Sequence, residues 1–169
     1  MSTVLTEPDL SPLGPEIQVE TMADVLDRLG DISADRVLAR PAPGTATEED
    51  LLRLPHETQK ICELIDNTLV VKAVGAPESV MAMDLVQILA VYFHNTKNRA
   101  TRILGPDGHT RYFGGNIRMP DVAVFLRSDL PDGKIPKDQQ VCPIAPAWII
   151  EVLSPGNTKR EIDKKLRTF

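Results

Sequence analysis

Residues 147–153 read Ala-Trp-Ile-Ile-Glu-Val-Leu, an apolar run with one carboxylate, Glu151, set inside it. A strand this apolar is expected to be covered on both faces. An ionised carboxylate in such a strand costs roughly several kcal/mol unless a cation or hydrogen-bond donors meet it. Whatever meets Glu151 therefore constrains the rest of the fold. The run ends at Ser154-Pro155-Gly156, a turn, and Thr158-Lys159-Arg160-Glu161 then has the form of a capping box opening a helix.

The remaining composition sets limits. The chain has 169 residues, 42% of them hydrophobic and 25% charged, which suits one domain with a real core. No apolar run approaches the roughly 20 residues of a membrane span, and the N-terminus lacks a secretory pattern. A cytoplasmic protein with no membrane partner is expected. Cys62 and Cys142 are the only cysteines, without metal-ligand spacing, and read as two reduced thiols. His56, His94 and His109 form no pair at helical ligand spacing. The net charge is −5, but residues 1–84 carry −10 and residues 85–169 carry +5. The basic half could form a local positive face; it could equally be a solvated mixed surface.

Taken in order, residues 1–20 have the prolines and weak periodicity of an extended or disordered tail. Thr21 to Leu29 suits a short helix with Gly30 as its stop, and residues 40–44 a linker. Residues 1–44 thus read as an N-terminal extension and 45–169 as the main domain. Thr47 followed by acids suits a second helix through Leu54, ended by Pro55. Lys60–Asp66 and Thr68–Val74 read as a hairpin turning at Asp66-Asn67, two residues that tolerate left-handed backbone. Pro77 to Thr96 is the longest helix. It is apolar on nearly every side, as expected of a buried central helix, with Glu78 in its first turn. Strands follow at 100–104, 111–113 and 121–126, then a polar loop over 127–146.

In the last helix Ile162, Leu166 and Phe169 form an apolar stripe. Lys165 lies beside it, about 40° from Phe169 in projection, and Lys164 points to the opposite, solvated side. An inward lysine can be a snorkelling stem, or it can serve Glu151. Asp121 begins a strand after Pro120. If that strand neighbours the one carrying Glu151, the two carboxylates can reach one point. Carboxylates so placed repel unless a divalent cation lies between them, and oxygen ligands, with the Val152 carbonyl as a further one, favour Mg²⁺ or Mn²⁺ over zinc. With an inward lysine to offset charge, the set suits metal-assisted phosphodiester hydrolysis. A purely structural Asp121–Lys165–Glu151 ion-pair cluster is the competing reading. A serine or cysteine nucleophile has no evident histidine partner.

Pro120-Asp121 followed by Glu151-Val152-Leu153 is similar to the PD-(D/E)XK nuclease motif. The fuller run Glu151–Thr158 with Glu161 and Lys165-Leu166, the segment Arg118–Val122, Glu78-Ser79 and the hairpin Glu63–Asp66 resemble the Uma-two family of restriction-endonuclease-like proteins. The resemblance covers about residues 45–169. It implies an α/β (α+β, mixed-sheet) restriction-endonuclease-like fold, with an αβββαβ core preceded by a β-hairpin. It implies Asp121 and Glu151 as ligands to Mg²⁺ or Mn²⁺. Lys165 stands in for the motif lysine, whose place Leu153 holds, and Glu78 would be a further metal or water ligand. Glu63 matches a family carboxylate of unassigned role. DNA is the implied partner, a homodimer being the arrangement that would cut both strands. Lys159, Arg160, Lys164 and Arg118, with Arg111 and Arg167, are candidate phosphate contacts. Two departures stand out. Asn67 occupies a position where the family usually has glycine. The family also continues, after the last helix, with a loop and a further strand, so the sheet is expected to lack that strand and show an unpaired edge. An inactive nuclease-fold module that binds DNA or protein is the alternative this leaves open.

Overall fold

Period-2 alternation in a β-hairpin organises the molecule. A computed structural model describes residues 21–168 except 59 and 74, and no side chain of residues 55–58 is described. The expected tail (1–20), Val74 at the end of the expected second strand and Phe169 of the apolar stripe lie outside the described residues. β1 (Cys62–Ile65) and β2 (Thr68–Val71) pair antiparallel, Cys62 opposite Val71 and Ile65 opposite Thr68. The turn places Asp66 at φ 47° and Asn67 at φ 54°, the left-handed pair a two-residue hairpin requires. Asparagine therefore takes up the geometry that glycine usually supplies.

Alternate residues of the hairpin meet different helices. Cys62, Leu64 and Leu69 pack with Leu51 and Leu54 of α2 (Glu48–Thr58). Ile65 and Val70 pack on the other face, with Val25 and Leu29 of α1 (Met22–Leu29) and with Ile32. α2 runs on past Pro55, beyond the expected stop at Leu54. An interior proline costs a helix about 3 kcal/mol, and burial of Leu51 and Leu54, roughly 1.5–3 kcal/mol each, offsets it.

Next come α3 (Ala76–Asn95), β3 (Thr101–Leu104), β4 (His109–Arg111), β5 (Ile117–Arg118), β6 (Val122–Leu126), β7 (Val141–Cys142), β8 (Trp148–Ile150) and α4 (Lys159–Thr168). The described residues form a mixed α+β fold, with four α-helices and two sheets where a single central sheet was expected. One sheet runs β2-β1-β5-β4-β7, with β4 and β7 parallel, and the other runs β3-β6-β8. β7 falls inside the expected polar loop, where two residues are too few to show a period.

Two expectations about burial are corrected. β6 is the strand covered on both faces, with Val122 to Phe125 all buried. β8 is an edge strand: Trp148 is 51% exposed and Leu153 58%. An apolar run reports affinity for cover without saying what supplies it. The same applies to α3, of which only Ala82 is buried while Val80, Met81, Ile88, Val91 and Tyr92 are exposed. Among the described helices α3 alone is, by length and composition, long and apolar enough to cross a membrane, against the expectation that no apolar run approaches a span; Asp84 and Gln87 break up its apolar character in the sequence. Cys62 and Cys142 are buried free thiols.

Residues 21–44 are closely joined to the C-terminal helix. Gly30 caps α1 in the left-handed conformation, φ 89°. Its carbonyl accepts the Thr158 hydroxyl, and a Cβ built on it would lie 2.7 Å from the Glu161 nitrogen. Both the backbone angle and the contact demand glycine. Gly30→Ala is expected to cost about 3 kcal/mol, read as a lowered midpoint in urea unfolding. A loss within about 0.5 kcal/mol, the range of ordinary surface substitutions, would show that this junction does not hold the fold.

Candidate active site

On the hairpin face turned to α1, alternation carries charged residues as well. Glu63 precedes Ile65 on that face, Lys72 follows Val70, and Arg118 alternates with Ile117, which packs towards α2. Glu63 and Arg118 are each 2% exposed. Glu63 Oε2 stands 3.6 Å from Arg118 Nη1, and its Oε1 accepts the Met119 N–H at 2.9 Å. Lys72 Nζ donates to the Met119 carbonyl at 2.7 Å and to the Pro106 carbonyl at 3.1 Å. The peptide units around Met119 are thus held from both sides, and two residues later the chain delivers Asp121.

Asp121 and Glu151 come together as expected, though each already has partners. Asp121 Oδ1 lies 2.9 Å from Lys72 Nζ, and its Oδ2 accepts the Val152 N–H at 2.7 Å. It is the N–H of Val152 that meets Asp121. Glu151 sits one residue past β8, and its Oε2 accepts from Lys165 Nζ at 2.8 Å. Its Oε1 is buried with no hydrogen-bond partner. Burial pushes the Glu151 pKa up against the pull of Lys165, and the charges of Glu63 and Asp121 push the same way. Burial alone would lower Lys165, but Glu63 and Glu151 outweigh it and raise its pKa. Lys165 is therefore a fixed ammonium here. Tyr112 completes the surroundings. Its hydroxyl is pushed up chiefly by burial, opposed by a hydrogen bond to Thr110 and reinforced by Glu151 and Glu63.

Glu78 is not brought to this cluster. Its carboxyl folds back over Gly75, the N-cap of α3, and no contact among the described residues joins it to Asp121, Glu151 or Lys165. The expected phosphate contacts are mostly engaged elsewhere. Arg118 is buried against Glu63. Arg160 pairs with Asp27 at 2.7 Å and Asp31 at 2.6 Å. Arg111 pairs with Glu48 at 2.6 Å. Lys164 points inward, bonded to Asp66 and to the Arg28 carbonyl. A helical wheel that allots α4 one covered face misplaces Lys164, because α1 and the hairpin turn cover a second. Of the apolar stripe, Leu166 is 71% exposed, while Glu161 is buried against Arg36 at 2.9 Å and Asn157 at 3.0 Å. Glu161 keeps the Thr158 hydroxyl as the acceptor for its own N–H, but its carboxylate leaves the capping box for these partners.

Lys72 and Tyr112 were missed in the sequence. Lys72 carried a usable signal: it lies two residues beyond the buried Val70 and so falls on the same face. Tyr112 carried none.

Whether a cation fits can be judged from the donors. Among the described residues no three His, Cys, Asp or Glu side chains gather as a ligand set, so a cation held tightly by protein groups alone is not provided for. Glu151 Oε1 is an orphaned buried oxygen that a cation would satisfy. Each Asp121 oxygen keeps lone-pair capacity beyond its present partner. Two carboxylates, with water and substrate oxygens completing the shell, suit Mg²⁺ or Mn²⁺.

A mixed-sheet fold carrying an acidic pair with an adjoining lysine fits the restriction-endonuclease-like class that the sequence resembles. The Uma2 family model, described as "Putative restriction endonuclease", matches residues 48–169, and the chain belongs to that family. Restriction-endonuclease-like proteins generally use divalent metal ions. Among solved structures, the chain is similar to a putative nuclease of DUF820 from Anabaena variabilis. The identity is 24% and the TM-score 0.56, covering 72% of this chain and 65% of that one. The present chain thus spans less than two thirds of the length of that relative, and the likeness is one of fold. No curated protein matches the chain.

Proposed function

We propose that the chain is an endonuclease that hydrolyses DNA phosphodiester bonds with the aid of Mg²⁺ or Mn²⁺. The observation that carries this reading is the buried, unpartnered Oε1 of Glu151, beside Asp121 and with Lys165 on the other oxygen. Asp121 and Glu151 would hold the ion. When bound, a divalent ion polarises a phosphoryl oxygen and acidifies water. The chain's own groups do the rest. Lys72 and the Val152 N–H fix the direction of Asp121, and Glu63 and Lys72 fix the backbone that carries it. Lys165, kept protonated by its acidic neighbours, orients Glu151 and offers positive charge to a phosphoryl group gaining negative charge. Supercoiled plasmid is expected to be nicked with Mg²⁺ or Mn²⁺ and left intact with EDTA. Absence of nicking at every metal concentration would sink the proposal.

One observation favours the second reading, a nuclease fold that binds without cutting. Lys72 on Asp121 and Lys165 on Glu151 already balance both carboxylates. Titration with Mg²⁺ or Mn²⁺ separates the two. Heat of binding at this site supports the enzyme, and its absence, together with intact plasmid, supports the module.

A further inference from the structure

We infer that the groove between the C-terminal end of α3 and the strands β3 and β6 is where this protein holds a nucleic-acid backbone. The inference rests on the DNA reading above, but it moves the contact surface away from α4. The groove encloses about 700 Å³, and its lining includes Lys97, Arg99, Arg102, Arg127 and His94, with no carboxylate. Among the described residues none of these four Lys and Arg cations enters an ion pair. Arg160, Lys164, Arg111 and Arg118 are all neutralised by partners. Four of the thirteen Lys and Arg of residues 85–169 therefore gather in this groove without a paired carboxylate.

Two of the arginines are held in place without being neutralised. Arg127 donates from Nε to the Gly133 carbonyl at 3.1 Å and from Nη1 to the Arg99 carbonyl at 3.2 Å. Arg102 donates from Nη1 to the Thr101 carbonyl at 3.0 Å. Each guanidinium has five N–H donors, so each keeps donors for a phosphate while its position is already paid for in part by backbone contacts. The bland account is that these cations balance the helix dipole. The C-terminus of α3 presents roughly half a negative charge, which one cation offsets and four far exceed.

The groove also stands at a useful distance from the acidic pair. Asp121 precedes β6 and Arg127 follows it. Six strand residues at about 3.3 Å each set them roughly 20 Å apart. At about 3.4 Å per base pair this is some six base pairs of duplex. That separation is within the length of one short duplex.

The test is fluorescence anisotropy with a labelled 20-base-pair DNA duplex in EDTA, between 50 and 200 mM salt. It compares the wild type with Lys97→Ala/Arg99→Ala, and with Arg160→Ala on α4. Lys97 and Arg99 are exposed, so the first variant is expected to fold. The groove variant is expected to bind at least about tenfold more weakly, with the slope of log K against log salt reduced by about 1.8, or about 0.9 per lost phosphate contact. The α4 variant is expected to stay within about twofold, its arginine being already paired. An unchanged slope in the groove variant, or a loss confined to the α4 variant, overturns the inference and leaves the DNA reading standing. Absence of binding by the wild type at any salt overturns both.

Discussion

Glu151→Ala is expected to lower metal-dependent plasmid nicking by about a thousandfold. A divalent ion contributes several kcal/mol of charge stabilisation in phosphoryl transfer, and each 1.36 kcal/mol is a factor of ten in rate. Removing Glu151 takes away a buried carboxylate oxygen with no present hydrogen-bond partner, and it frees Lys165 from its 2.8 Å contact. Asp121→Asn should fall almost as far, because a neutral amide binds a hard cation poorly while still accepting the Val152 N–H. Glu151→Gln separates chemistry from folding: it keeps the shape of the side chain, so nicking should be lost while the thermal transition survives. Equal nicking by wild type and Glu151→Ala would remove this cluster from consideration as the catalytic site.

Glu63→Ala is expected to have the largest effect on stability, a loss of about 3–5 kcal/mol, the usual consequence of stripping one partner from a buried ion pair. Arg118 is 2% exposed and stays charged, and the Met119 N–H loses its acceptor at the same time. Urea unfolding followed by circular dichroism reads this as a lowered midpoint. Pairing the change with Arg118→Met should recover part of the loss, since it removes the buried charge that Glu63 had balanced. A single-variant loss below about 1 kcal/mol would show that the pair is reached by water and that Glu63 is not what holds the Asp121 segment.

Local chemistry was readable in the sequence, and the identity of neighbours was not. The hairpin turn at Asp66-Asn67, the stop at Gly30 and the cap at Thr158 depend on residues within a few positions of one another, and all three stand where expected. Asp121, Glu151 and Lys165 could be grouped because one strand and the following helix set their directions. Lys164 and Arg160 could not be placed, because their partners, Asp66, Asp27 and Asp31, lie about a hundred residues or more away. A basic residue in a sequence is a charge without an address. For the same reason the apolar character of α3 and β8 was plain while their exposure was not: hydrophobicity belongs to the segment, and burial to the arrangement. Arg118 shows the converse, a cation that spacing offered to phosphate and that folding enclosed with Glu63.

The junction of α1 and α4 gives the candidate site an unusual dependence. Thr158, Glu161 and Lys164 reach back to Gly30, Arg36 and Arg28 across 128, 125 and 136 positions. Glu63 is seated on β1 and Asp121 immediately before β6, and both stay put as long as the sheets do. Lys165 has no such seat: it rides on a helix steadied by the most non-local contacts of the chain. A polypeptide trimmed to begin at residue 45 would retain every candidate site residue and lose what aims one of them, so the lysine belongs, in mechanical terms, to residues 21–44 as much as to α4.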